Sequence, residues 1–236
     1  MNRTIKIIGA AAIAAVIGAA CSTNADNTAA ASGPASTAAS SSMDMKSMGT
    51  TAVDGPAATL RTGLSTLLQE HVYLAGIATG TAIQKGTKDP ATAAALAALD
   101  ENSVALSEAI GSVYGDAGAK TFLGLWRKHI GFFVDYTLGA ATGNQKMAAK
   151  ARKELDGYRE DFGAFIESAT GGILSKEAVA SELKAHVDSL IAAIDAQVKG
   201  DPKAIELLKA AAAHMPMTAD VLAGAIAQQF PEKFAS

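Results

Sequence analysis

Four histidines and two knots of methionine are the residues of this chain best suited to chemistry. The histidines are His71, His129, His186 and His214. Five of the seven methionines fall in two short runs. Met43, Met45 and Met48 stand in "MDMKSM" (43–48), and Met215 and Met217 follow His214 in "HMPM" (214–217). Thioether sulfur is a soft, neutral ligand that selects Cu(I), binds Zn(II) poorly and does nothing for Mg or Ca. M-x-M and M-x-x-M spacings on a pliable segment let several sulfurs converge on one ion, and a neighbouring imidazole adds a nitrogen donor. The same residue types also serve haem, as axial His–His or His–Met pairs.

Other chemistries lack their groups. There is no G-x-S-x-G, no phosphate loop, no H-E-x-x-H and no D-x-D-x-D-G loop. The E-x-x-H spacing of carboxylate-bridged di-iron bundles is missing too. Glu70 abuts His71 instead, so on a helix the two point ~100° apart. No enzyme is expected.

The elements that must position these residues are helices. The composition is rich in Ala and poor in Pro and aromatics, which reads as all-α. From Leu60 onward the apolar pattern is helical, interrupted at 85–90, 115–118, 143–144, 170–175 and 199–202 by Gly followed by Asp, Asn, Ser or Pro. Six helices result, joined by short connections that imply antiparallel neighbours.

An internal repeat orders them. "LLQEHVYLAGIATGTAIQKG" (67–86), "LWRKHIGFFVDYTLGAATGN" (125–144) and "ELKAHVDSLIAAIDAQVKG" (182–200) each carry a Leu, then His, then Val or Ile, and close on Gly or Gly-Asn. The three histidines are 58 and 57 residues apart. The expected architecture is a six-helix bundle of three tandem αα-hairpins, 58–115, 116–173 and 174–236. Each repeat histidine lies on an apolar stripe: Leu64, Leu67, His71, Leu74, Ile77; Phe122, Leu125, His129, Phe132, Phe133, Tyr136; Val179, Leu183, His186, Leu190, Ile194. In an up-and-down bundle the three occur at one depth. On the returning helices that depth holds Asn102, Tyr158 and 213–218, where Pro216 stands mid-helix at a cost of ~3 kcal/mol. A buried layer of His71, His129, His186, His214, Met215 and Met217 follows, with Asn102 and Tyr158 as supporting hydrogen-bond partners.

The start of the chain bears on location. Arg3 and Lys6 precede an apolar run of fourteen, 7–20, which is followed by Cys21 and a polar stretch. That is an export signal over 1–20, too short for a membrane span of ~20 residues. "VIGAA" before the single cysteine resembles a lipobox, which implies lipid on Cys21, anchorage to the membrane and a site on its extracytoplasmic face. Residues 21–57 are an Ala/Ser/Thr-rich disordered tether carrying the Met motif, with reach on the order of 30–35 Å. Net charge −3 argues against nucleic acid as a partner.

Two resemblances stand beside this reading. "MDMKSM" resembles the methionine motifs of exported bacterial copper-handling proteins, which implies copper and a protein that donates or accepts it. "LLQEHVYLAGIATG", "LWRKHIGFFVDYT" and "AAAHMPMTAD" resemble segments of exported bacterial all-helical (lipo)proteins of no established activity, which implies export and the helical fold. The expectation is an extracytoplasmic copper-binding lipoprotein for storage, buffering or handover. A haem-binding bundle is the alternative. A surface-tethered structural or interaction protein, its histidines a polar layer fixing helix register, is the third.

Overall fold

The computed structural model describes residues 55–234, and every regular element among them is a helix. Cys21, Met43, Met45 and Met48 lie outside the described residues, as does nearly all of the expected tether. Six helices of ten residues or more are α1 (Pro56–Lys85), α2 (Pro90–Thr142), α3 (Gln145–Ala169), α4 (Lys176–Lys199), α5 (Ala204–Ala213) and α6 (Met215–Gln229). One further turn, α7 (Pro231–Phe234), follows.

Most boundaries follow local chemistry. Pro56 and Pro90 open α1 and α2, where a missing N–H costs nothing. The side chains of Asp89, Asn144 and Ser175 accept from the backbone N–H groups of Ala91, Met147 and Ala178 at 2.8, 3.1 and 3.2 Å. Each such cap contributes about 1 kcal/mol.

One of the remaining boundaries keeps to the sequence expectation and one departs from it. The expected break at 115–118 is present: Gly115 leaves the helical conformation at φ 71°, ψ −179°, and α2 folds back there into two arms, so that Ser107 Oγ donates to the Ala119 carbonyl at 2.9 Å and Arg127 pairs with Asp100 at 2.6 Å. Conversely, the last expected helix is divided. α5 ends at Ala213, His214 is a turn, and Pro216 lies in the first turn of α6. Pro216 is therefore not mid-helix, and the ~3 kcal/mol penalty does not arise.

Successive helices pack on one another from α1 to α5, and α1 also lies against α4, α5 and α6, which closes the bundle around it. Close approach is built in at Gly139, where a Cβ would meet the Ala148 backbone nitrogen at 2.6 Å. The core is a continuous set of Leu, Ile, Ala and aromatic side chains, with Leu155, Val72 and Ile194 wholly enclosed. The α1 stripe is rotated from the expected one. Leu64, Leu68, His71, Val72, Ala75 and Ala78 face inward, while Ile77 is 55% exposed. On α2 the inward set is Phe122, Trp126, His129, Phe133 and Tyr136. Leu67, Leu74, Leu125 and Phe132 are only partly covered.

Candidate functional site

α1 and the second arm of α2 bring two of the repeat histidines face to face. His71 Nε2 and His129 Nε2 are 3.3 Å apart, and both rings are buried. Aromatic rings hold them. Trp126, one helical turn before His129, touches both imidazoles, with centroids 4.8 Å from His71 and 4.6 Å from His129. Tyr158 of α3 stacks on His129 at 4.8 Å, the planes 21° apart.

Burial disfavours charge on these rings. It pulls the His71 pKa down to about 3, with a further push from His186 outweighing the support of Asn102. It sets His129 well below the ordinary imidazole value, with His71 and His186 adding to the effect. His186 falls to about 4, through burial first and His214 second. All three rings are neutral at pH 7.

Two neutral imidazoles with facing Nε2 atoms need something to share. One solution is a proton on one Nε2, donated to the other. The other is a cation shared by the two Nε2 lone pairs, with the protons on the Nδ1 atoms, which have no hydrogen-bond partner. Two metal–imidazole bonds of ~2.0 Å subtending ~110° span ~3.3 Å, the edge of a tetrahedral site.

The other expected members are placed differently. His186 of α4 is buried but stands apart, and Phe133 packs edge-on against both His129 and His186, at 6.1 and 6.4 Å. His186 lines the same cavity as His71. His214, in the turn between α5 and α6, is not in the buried layer. Its side chain is 26% exposed, and its Nε2 lies 2.5 Å from Glu182 Oε1, at an angle outside hydrogen-bond geometry. Met215 is 4% exposed and lines the cavity with His71 and His186; Met217 is 54% exposed and takes no part in it. No set of three or more His, Cys, Asp or Glu among the described residues converges on one point, so the four histidines do not form a single four-nitrogen centre.

The supporting residues also differ from expectation. Asn102 is buried beside His71, but its Nδ2 donates to the Leu67 carbonyl and the Glu70 carboxylate, at 3.0 and 2.8 Å. Tyr158 supports His129 through its ring, and its hydroxyl has no partner. Trp126 and Glu182 were not anticipated. Trp126 was findable, since residues three apart on a helix share a face.

A cavity of about 290 Å³ opens beside this group, walled by α1, α2, α3, α4 and α6. A smaller one of about 70 Å³ touches His71 and His129 on another side. The pair thus stands between two interior spaces. No family model matches the chain, and no curated protein or solved structure shows significant similarity to it.

Proposed function

We propose that this protein binds Cu(I) outside the cytoplasm, for storage, buffering or handover. His71 and His129 hold the ion through Nε2, and the Met215 thioether, on the wall of the cavity that His71 lines, supplies a soft donor. One observation carries the reading: a buried, uncharged pair of imidazoles with facing Nε2 atoms 3.3 Å apart.

Copper(I) suits this set better than other cations. Two nitrogens and a thioether satisfy a soft ion of low coordination number. A structural zinc site needs four ligands. A divalent ion without a carboxylate beside it also carries a larger desolvation cost than a monovalent one. Met43, Met45 and Met48 collect the ion on the tether. The signal over 1–20 and lipid on Cys21 place the protein on the membrane's outer face. His214, 26% exposed beside Glu182 of the cavity wall, is where a copper donor or acceptor protein would approach. Among the described residues no helix is long and apolar enough to cross a membrane.

Haem fits less well. A cavity of ~150 Å³ takes one benzene. The space here, about 290 Å³, has room for two rings where a porphyrin has four.

The test is an anaerobic Cu(I) titration of the full chain against a chromogenic chelator. Met43, Met45 and Met48 are replaced by Leu to silence the tether. One equivalent should be retained, and His71→Gln with His129→Gln should abolish it while circular dichroism stays helical. Unchanged uptake in that double variant would remove the proposal. A lower melting temperature with no copper bound by any form would leave a structural polar layer.

A further inference from the structure

The 290 Å³ cavity has a wall unlike an ordinary packing defect. Its surface is overwhelmingly apolar, yet four of its lining residues carry a buried polar atom with no hydrogen-bond partner. These are His71 Nδ1, Trp126 Nε1, His186 Nδ1 and Thr218 Oγ1. Buried polar atoms are normally satisfied, and each that is not costs ~1–3 kcal/mol. A few convergent polar groups in an apolar recess are the usual form of a small-molecule site.

We infer that this cavity binds a neutral two-ring ketone, its rings against Phe122 and Phe162 and its carbonyl oxygen accepting from Trp126 Nε1–H. Size sets the ring count, since the space is about twice that which takes one benzene. The aromatic wall favours flat rings: Phe122 stacks on Trp126 at 5.0 Å, and Phe162 packs against both at 5.9 Å. Polarity sets the functional group. Indole nitrogen is a donor only, so its unmet need is for an acceptor. A cationic ligand has only Glu182 to meet it; an anion has two neutral histidines and no positive group. The mouth lies between α4 and α6, where Ala178 and the 52%-exposed Val221 line the rim.

The chain has one tryptophan, so its single indole N–H resonance reports this site alone. The probes are 1-tetralone and tetralin, which share a ring skeleton and differ by the carbonyl. They are added to the full chain held copper-free with a chelator, so the outcome is independent of the Cu(I) proposal. Tetralone should shift the indole resonance downfield and saturably, and should bind about 3–10-fold tighter than tetralin. Ala178→Phe, on an exposed rim position, should abolish binding of both without changing the melt. Val221→Phe on the opposite rim serves should the first variant not fold. No saturable shift with either probe would mean a cavity holding water only and would overturn the inference. Equal affinity for the two probes would overturn the carbonyl assignment. Binding that survives both rim variants would place the ligand elsewhere and overturn it as well.

Discussion

The histidine pair in the middle of the bundle and the histidine at its edge show what surroundings do to one residue type. His71 and His129 lie among apolar and aromatic side chains, have lost their charge to burial, and turn Nε2 to Nε2. His214 sits at a break between two helices, partly in water, with a carboxylate for company. An imidazole without water or counter-charge keeps only its lone pair to offer, which is what a soft cation wants. An imidazole at the rim has solvent and Glu182, and an exposed ion pair contributes ~0–1 kcal/mol. The contrast teaches that residue type alone does not set a histidine's chemistry; the enclosure does.

Acid should separate the two environments most strongly. A histidine whose folded pKa is depressed binds fewer protons than the unfolded chain, which titrates near 6.5. Its contribution to stability is complete above ~6.5 and is lost as pH falls toward the folded value. For His71, at about 3, and His186, at about 4, the window opens below neutrality. By pH 5 each costs roughly 2 kcal/mol of stability, on a total that for a domain is ~5–15. Urea melts at pH 7 and pH 5 should show the loss. His186→Leu should shrink it, and His214→Ala should leave most of it in place, since burial outweighs His214 in lowering His186.

Truncation at neutral pH is the next contrast. His129→Ala opens a cavity and strands His71 Nε2, for ~3–4 kcal/mol by urea denaturation. His214→Ala should cost under ~1 kcal/mol. The two methionines sharpen the comparison further. Met215→Leu conserves volume and should loosen Cu(I) about tenfold, equivalent to ~1.4 kcal/mol, whereas Met217→Leu should change neither copper binding nor stability. The smallest effect is at Tyr158. Its hydroxyl is buried without a partner, and burial raises its pKa well above 10. Tyr158→Phe keeps the stacked ring and should be neutral or stabilise by up to ~1 kcal/mol in a thermal melt.

Much of this was legible in the chain because helix punctuation is local. Asp89–Pro90, Asn144 and Ser175 announce helix starts by side-chain chemistry alone. The meeting of His71 with His129 was legible because equivalent positions on like-directed helices reach one depth. Two features were not. The α1 stripe could be drawn through Leu67, Leu74 and Ile77 or through Leu68, Val72 and Ala75, because small and large apolar residues surround that helix. The packing of α2, α4, α5 and α6 around α1 decides between them. Met215 and Met217 are two residues apart, so on a helix they point to different sides, and the break at His214 sets which one faces the cavity.

The central claim is that copper sits between two imidazoles inside the bundle. X-ray absorption at the copper edge reads that directly. The sample is the full chain with Met43, Met45 and Met48 replaced by Leu, loaded with one equivalent of Cu(I). The account predicts a first shell holding two imidazole nitrogens, with a sulfur that disappears in Met215→Leu. A shell of sulfur alone, or one unchanged by His71→Gln with His129→Gln, would contradict it.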